Sequence, residues 1–191
     1  AQIVRELLDY AQFGVAESDH GLLLLERDLD QYRLSPAFYE AFRAGQVTPQ
    51  VPVEVDFGGL LRLEGFDWDV RPVVRAGPVV EITTYWRALS APDGEYRLIF
   101  FFWDEERRLL RIQHEERAVH WYPTWLWDPG QVVKVALPPL PVDDVPYVGV
   151  AVLRPGAAAF EVAGRVVPIN SVSGEPLSLW ESDTILELVR P

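Results

Sequence analysis

Trp121 and Trp125 stand four residues apart in HWYPTWLWDPG (residues 120–130), with His120 before the first and Asp128 after the second. An indole face can stack on the C–H groups of a sugar ring, and a carboxylate and an imidazole beside it can bond the hydroxyls. Residues of these types, His120, Trp121, Trp125 and Asp128, could form a carbohydrate site, though type and spacing alone do not sort the rings of the stretch. Pro123 stiffens the stretch, so little ordering entropy would be lost on binding. Pro123 and Pro129 also forbid a regular central strand, which makes the segment a loop or an irregular edge. Run out in extended form, it would point Trp121, Trp125 and Trp127 one way and Tyr122, Thr124 and Leu126 the other. The same rings suit a core, where each buries roughly 150–250 Å², and the sequence alone favours that reading, since aromatic clusters are more often core than binding surface.

Other residues offer less chemistry. His114 and His120 are six apart in QHEERAVH, a spacing that matches neither strand nor helix ligation, so no metal is expected there. His20 falls in a turn. Asp67 and Asp69 flank Trp68 and would share one face of a strand. A glycosidase needs its two carboxyls about 5 Å or about 6.5–9.5 Å apart across a cleft, with one in apolar surroundings. Neighbours on an acidic face read instead as solvated carboxylates. Nucleophile-elbow, P-loop and dinucleotide glycine patterns are missing from the sequence. With no cysteine, a thiolate nucleophile, a disulfide and a thiolate metal site are all excluded. The reading is therefore a protein without catalytic residues, metal or cofactor.

Seventeen basic residues against 29 acidic ones leave a formal charge of −12, which repels phosphate backbones and anionic headgroups. Nucleic acid is not expected as a partner. Lys134 is the single lysine, a bias that fits genome composition or heat adaptation. Methionine is absent, so the chain reads as a processed product or a piece of a longer protein. The longest apolar stretch, VPYVGVAVL (145–153), is about half the ~20 residues of a membrane-spanning helix, and no signal peptide is recognisable.

The elements that must position these residues follow from periodicity. IVRELLDYA predicts a helix near 2–11, and SPAFYEAFRAG a second near 36–44, with Ser35 as N-cap and Gly45 beyond the end. Between them, apolar runs on either side of Asp19-His20-Gly21 predict a β-hairpin. From residue 50 the chain reads as strands joined by turns at the spacing of a sandwich. Val80, Ile82, Thr84 and Trp86 alternate onto one face, and YRLIFFFWD is apolar on both, as for a doubly covered strand. RLLRIQHEE, QVVKVAL, PYVGVAVL, RVVPI and TILELV supply five more strands, while PPLPVDDVP reads as an extended crossover loop. The mixed charges of DEERR (104–108) read as an exposed hairpin loop.

Longer motifs add a resemblance. Tyr85-Trp86-Arg87-Ala88, Tyr96 onward, Gln113-His114-Glu115, and Tyr122-Pro123-Thr124 with Trp127, Pro129 and Gly130 follow a pattern over about 50–169. It is similar to the C-terminal sandwich of bacterial multi-pass membrane proteins related to lipid-linked-sugar glycosyltransferases. LLDYAQFGVAESDHGLLLLERD (residues 7–28) resembles the segment that closes the soluble part of a membrane-protein family known only as a domain of unknown function (family 2079). The resemblance implies an extracytoplasmic module attached to a membrane portion of the same polypeptide, with the sugar chemistry elsewhere in that parent. It also assigns Tyr122, Pro123, Trp127, Pro129 and Gly130 to corner and core, which leaves Trp121 and Trp125 for a ligand.

The expected protein is thus mainly β: an antiparallel, jelly-roll-like β-sandwich over residues 48–191, with a small helix–hairpin–helix appendage over 1–47. It would bind or position a glycan or a lipid-linked sugar without catalysis. The alternative is a purely structural or protein-interaction domain. An unpaired edge of the N-terminal hairpin would also allow a homodimer by strand pairing.

Overall fold

The computed structural model describes residues 13–19, 22–27, 39–73, 77–114, 122–141, 147–158, 160–170, 177, 179–180 and 183–190. Two compact units divide the chain, Ala1–Phe42 and Arg43–Pro191.

In the first unit, β1 (Phe13–Asp19) and β2 (Leu22–Arg27) pair antiparallel from Phe13↔Arg27 to Asp19↔Leu22, as the Asp19-His20-Gly21 turn signal predicts. A bulge interrupts the register between Val15 and Glu17. The helix expected near 2–11 lies outside the described residues. Of the one expected near 36–44, Tyr39 and Glu40 have helical backbone, and the chain then turns, with Phe42 N–H donating to the Tyr39 carbonyl at 2.9 Å. The expected end at residue 44 is wrong. Arg43–Ala44 form a short strand, β3, because a ladder with Val132 and Val133 replaces the helical bonds that Gly45 would have ended. Of the expected appendage, the hairpin is what the described residues show.

The second unit is a β-sandwich of two antiparallel sheets. Its strands are β4 (Val51–Phe57), β5 (Leu61–Val73), β6 (Gly77–Ala88), β7 (Arg97–Trp103), β8 (Leu109–His114), β9 (Val132–Ala136), β10 (Leu140–Pro141), β11 (Tyr147–Leu153), β12 (Arg165–Val166), β13 (Pro168–Asn170), β14 (Leu179–Trp180) and β15 (Ile185–Leu188). The first sheet has the order β13-β4-β5-β6-β9-β3, with β10 laid on the far end of β6; the second has β14-β15-β11-β7-β8, with β12 on β11. After the β4-β5-β6 meander the chain passes repeatedly from one sheet to the other.

Burial follows the alternation of β6: Val80, Ile82, Thr84 and Trp86 are inside, Glu81, Thr83, Tyr85 and Arg87 outside. In β5 the simple period breaks. Leu61 and Leu63 point inward, then Phe66 and Trp68 do, because the pairing with β6 jumps from Leu63↔Trp86 to Gly65↔Tyr85 and leaves Glu64 as an extra residue. The bulge changes the phase of the strand, so both apolar halves of LLRLEGFDWDV reach the core. It also brings backbones close: a Cβ on Gly65 would stand 2.5 Å from the Val51 carbonyl oxygen and 2.6 Å from the Pro49 ring.

β7 is buried on both faces, as its uninterrupted apolar run predicts. Leu98, Phe100 and Phe102 belong to the layer between the sheets. Ile99, Phe101 and Trp103 form a separate cluster with Ala151, Leu153 and Ile185 on the opposite face of the second sheet. Trp180 stacks on Trp103 there, with ring centroids 5.3 Å apart.

Candidate functional site

The corner between β8 and β9 holds the aromatic stretch. Pro123 is extended (φ −61°, ψ 151°) and leads into a single 3-10 turn, Thr124–Leu126, which closes with Trp127 N–H on the Thr124 carbonyl at 3.0 Å. That turn removes the strict alternation expected of an extended chain. Trp125 and Trp127, two apart, face opposite environments: Trp125 is 40% exposed and Trp127 is 2% exposed.

Buried polar contacts hold the turn. Thr124 Oγ1 accepts from Tyr96 N–H at 2.8 Å and donates to the Tyr96 carbonyl at 2.9 Å, in a site without solvent exposure. The Trp127 indole N–H donates to the Tyr122 carbonyl at 2.8 Å, and the two rings meet tilted at 6.3 Å. Gly130, at φ 84°, lets the chain reverse and donates to the Ala88 carbonyl at 2.7 Å, tying the corner to the end of β6. Tyr122, Pro123 and Trp127 are thus buried structure, while Pro129 and Gly130 form an exposed bend.

Trp125 and Asp128 share the solvent side of this rigid corner. The Asp128 side chain is 78% exposed, with Oδ2 3.8 Å from Arg43 Nη2. Tyr122 Oη donates to Gln131 Oε1 at 2.8 Å and accepts from Arg43 at 3.3 Å. Gln131 Oε1 also accepts from Asp128 N–H at 3.1 Å, which fixes the orientation of the amide. Its Nε2 then points the other way, buried and with no hydrogen-bond partner among the described residues. His120 and Trp121, the other two residues of the expected site, lie outside the described residues. Arg43 and Gln131 were not singled out from sequence. Gln131 sits just past the turn signal, and Arg43 comes from 79 residues upstream of Tyr122 with no local signature.

Asp67 and Asp69 share the outer face of β5, opposite Thr83 and Glu81. Both work as a strap. Asp67 accepts from Gln50 N–H at 2.8 Å and from Tyr85 Oη at 2.6 Å, and Asp69 accepts from the Gln50 side-chain amide at 2.7 Å. The Gln50 side-chain oxygen, Oε1, in turn accepts from Trp68 N–H at 3.0 Å. Burial, and then the Asp67 carboxylate beside it, pushes the Tyr85 phenol up to about 12, so it stays a donor at neutral pH. His114 ends β8 and pairs with Ile99. Among the described residues no group of three His, Cys, Asp or Glu side chains converges to hold a metal.

No family model, no curated protein and no solved structure matches this chain.

Proposed function

We propose that the sandwich is a non-catalytic binding module that positions a glycan or lipid-linked sugar at the Trp125 corner. One observation carries the reading: an indole exposed on a turn held rigid by buried hydrogen bonds, with the open carboxylate of Asp128 three residues away. A rigid ring loses little freedom on binding, and Asp128 and Arg43 offer an acceptor and donors to sugar hydroxyls. His120 and Trp121 would complete the platform. An acidic surface does not oppose a neutral glycan.

In the same proposal the module belongs to the extracytoplasmic side of a polytopic membrane protein, as the resemblance of its motifs implies, and packs with the membrane portion of that polypeptide. No helix among the described residues is long and apolar enough to cross a membrane, so the spans would be supplied by the rest of the parent. The repeated passage between sheets after β6 supports a jelly-roll-like winding.

Tryptophan fluorescence titrated with a panel of oligosaccharides tests the site. Stacking on one or two rings contributes about 1–3 kcal/mol, so affinity in the millimolar range, which corresponds to ~4 kcal/mol, is expected. The change should saturate for the wild type and vanish in Trp121→Ala, Trp125→Ala. Absence of saturation with every sugar, or binding that survives both substitutions, would overturn the reading. The second reading, a protein-interaction domain, is favoured by Leu109 and Leu110, 43% and 54% exposed on the edge strand β8.

A further inference from the structure

The turn between β7 and β8 places Arg107 against an aromatic wall on the outer face of the second sheet. The Arg107 guanidinium carbon lies 3.3 Å from the Tyr147 ring centroid and 4.1 Å from that of Trp180. Its Nη1 donates to Glu187 Oε1 at 2.9 Å, and Glu187 Oε2 accepts from the Trp180 indole N–H at 3.0 Å. Trp103 stacks behind Trp180. The floor is shaped for these rings: a Cβ on Gly149 would meet Trp103 at 2.8 Å and Ile185 at 2.6 Å.

Two aromatic faces and a carboxylate that is only 9% exposed make a cation receptor, because the ring quadrupoles and the carboxylate act in the same sense. The group now in it shows which cation fits. A planar guanidinium can approach a ring to 3.3 Å, whereas a tetrahedral ammonium carries substituents in every direction and must stand further off. The occupant is not sealed in: the Arg107 side chain keeps 32% of its surface open to solvent. Its left-handed backbone (φ 63°) is set by the hairpin itself, with Arg107 N–H on the Asp104 carbonyl at 3.0 Å and Asp104 N–H on the Arg108 carbonyl at 3.1 Å.

We propose that Tyr147, Trp180 and Glu187 form a binding site for a guanidinium group presented by another molecule, and that Arg107 is its exchangeable internal ligand. An incoming guanidinium takes over the stacking and the Glu187 contact, and the Arg107 side chain swings out to solvent while the β7–β8 turn keeps its backbone hydrogen bonds. The site is separate from the Trp125 corner and does not depend on glycan binding.

The probes are methylguanidinium and an N-acetylated arginine amide, which separate a free small guanidine from an arginine within a peptide. In the wild type, Arg107 side-chain proton resonances should be shifted upfield by the Tyr147 and Trp180 rings. Either probe should move them back towards their ordinary positions in a saturable way. Arg107→Ala should bind methylguanidinium at least about tenfold more tightly than the wild type, since the internal competitor is gone. Adding Glu187→Gln should remove most of that gain, and tetramethylammonium should bind more weakly than methylguanidinium. Arg107 resonances that stay in place at high probe concentration would overturn the proposal, whether or not Arg107→Ala folds. So would a folded Arg107→Ala that shows no saturable binding.

Discussion

Tyr85 carries its phenol on the outer face of β6, hydrogen-bonded to Asp67 and raised to about 12 by burial and then by that carboxylate. The folded chain therefore holds this proton more tightly than the unfolded chain, whose phenol has the ordinary value of 10.0. The contribution to stability is fully present below about pH 10 and is lost as pH rises towards about 12. An ultraviolet titration of the seven tyrosines should show a late-ionising class, and Tyr85→Phe should remove one phenol from it. Early ionisation of all seven would contradict the buried contact. Gly65 makes a sharper demand on a single position. A methyl group there would press on the Val51 carbonyl and the Pro49 ring, backbone and a stiff ring that cannot swing aside. Gly65→Ala should cost about 1–3 kcal/mol by overpacking, read as a fall in the denaturant midpoint.

The aromatic corner divides its residues by task. Trp127→Ala should cost about 3–5 kcal/mol by lost packing, as should Trp86→Ala, whereas Trp125→Ala, which truncates a ring 40% exposed, should lower the melting temperature less than either. Thr124→Val removes the buried hydroxyl that accepts from the Tyr96 N–H and donates to the Tyr96 carbonyl, and should cost about 1–3 kcal/mol in the same thermal assay. This division was only partly legible in the sequence. The longer motif separated Tyr122 and Trp127 from Trp125, but plain alternation grouped Trp125 with Trp127, because one 3-10 turn of three residues shifts the phase. Bulges hide structure for the same reason: β6 reads directly from period two, while β5 changes face at Glu64. Pairing made by tertiary contact left no local trace. Leu140–Pro141 sit in a proline-rich run that reads as loop, yet they ladder onto Val79 and Val80. Arg43–Ala44 end a helical pattern, yet they ladder onto β9. Arg107 was legible only as part of a charged turn, since the rings it touches lie 40 and 73 positions further along the sequence.

At the scale of the whole molecule, the N-terminal hairpin forms a two-stranded sheet, and among the described residues neither strand pairs with a third. Two-stranded sheets are marginal alone and offer open edges. The full chain is expected to dimerise through this hairpin, and a chain beginning at Arg43 to remain monomeric. Sedimentation of both checks this, and equal monomeric behaviour would remove the hairpin from the interface. The sandwich itself carries a different kind of join. Arg165–Val166 ladder onto β11 in one sheet and Pro168–Asn170 onto β4 in the other, with Val167 the single residue between them. So short a stitch works as a mechanical tether. Under load the two layers cannot slide past one another until one of these ladders tears, so shear applied to the sandwich is converted into the unzipping of an edge.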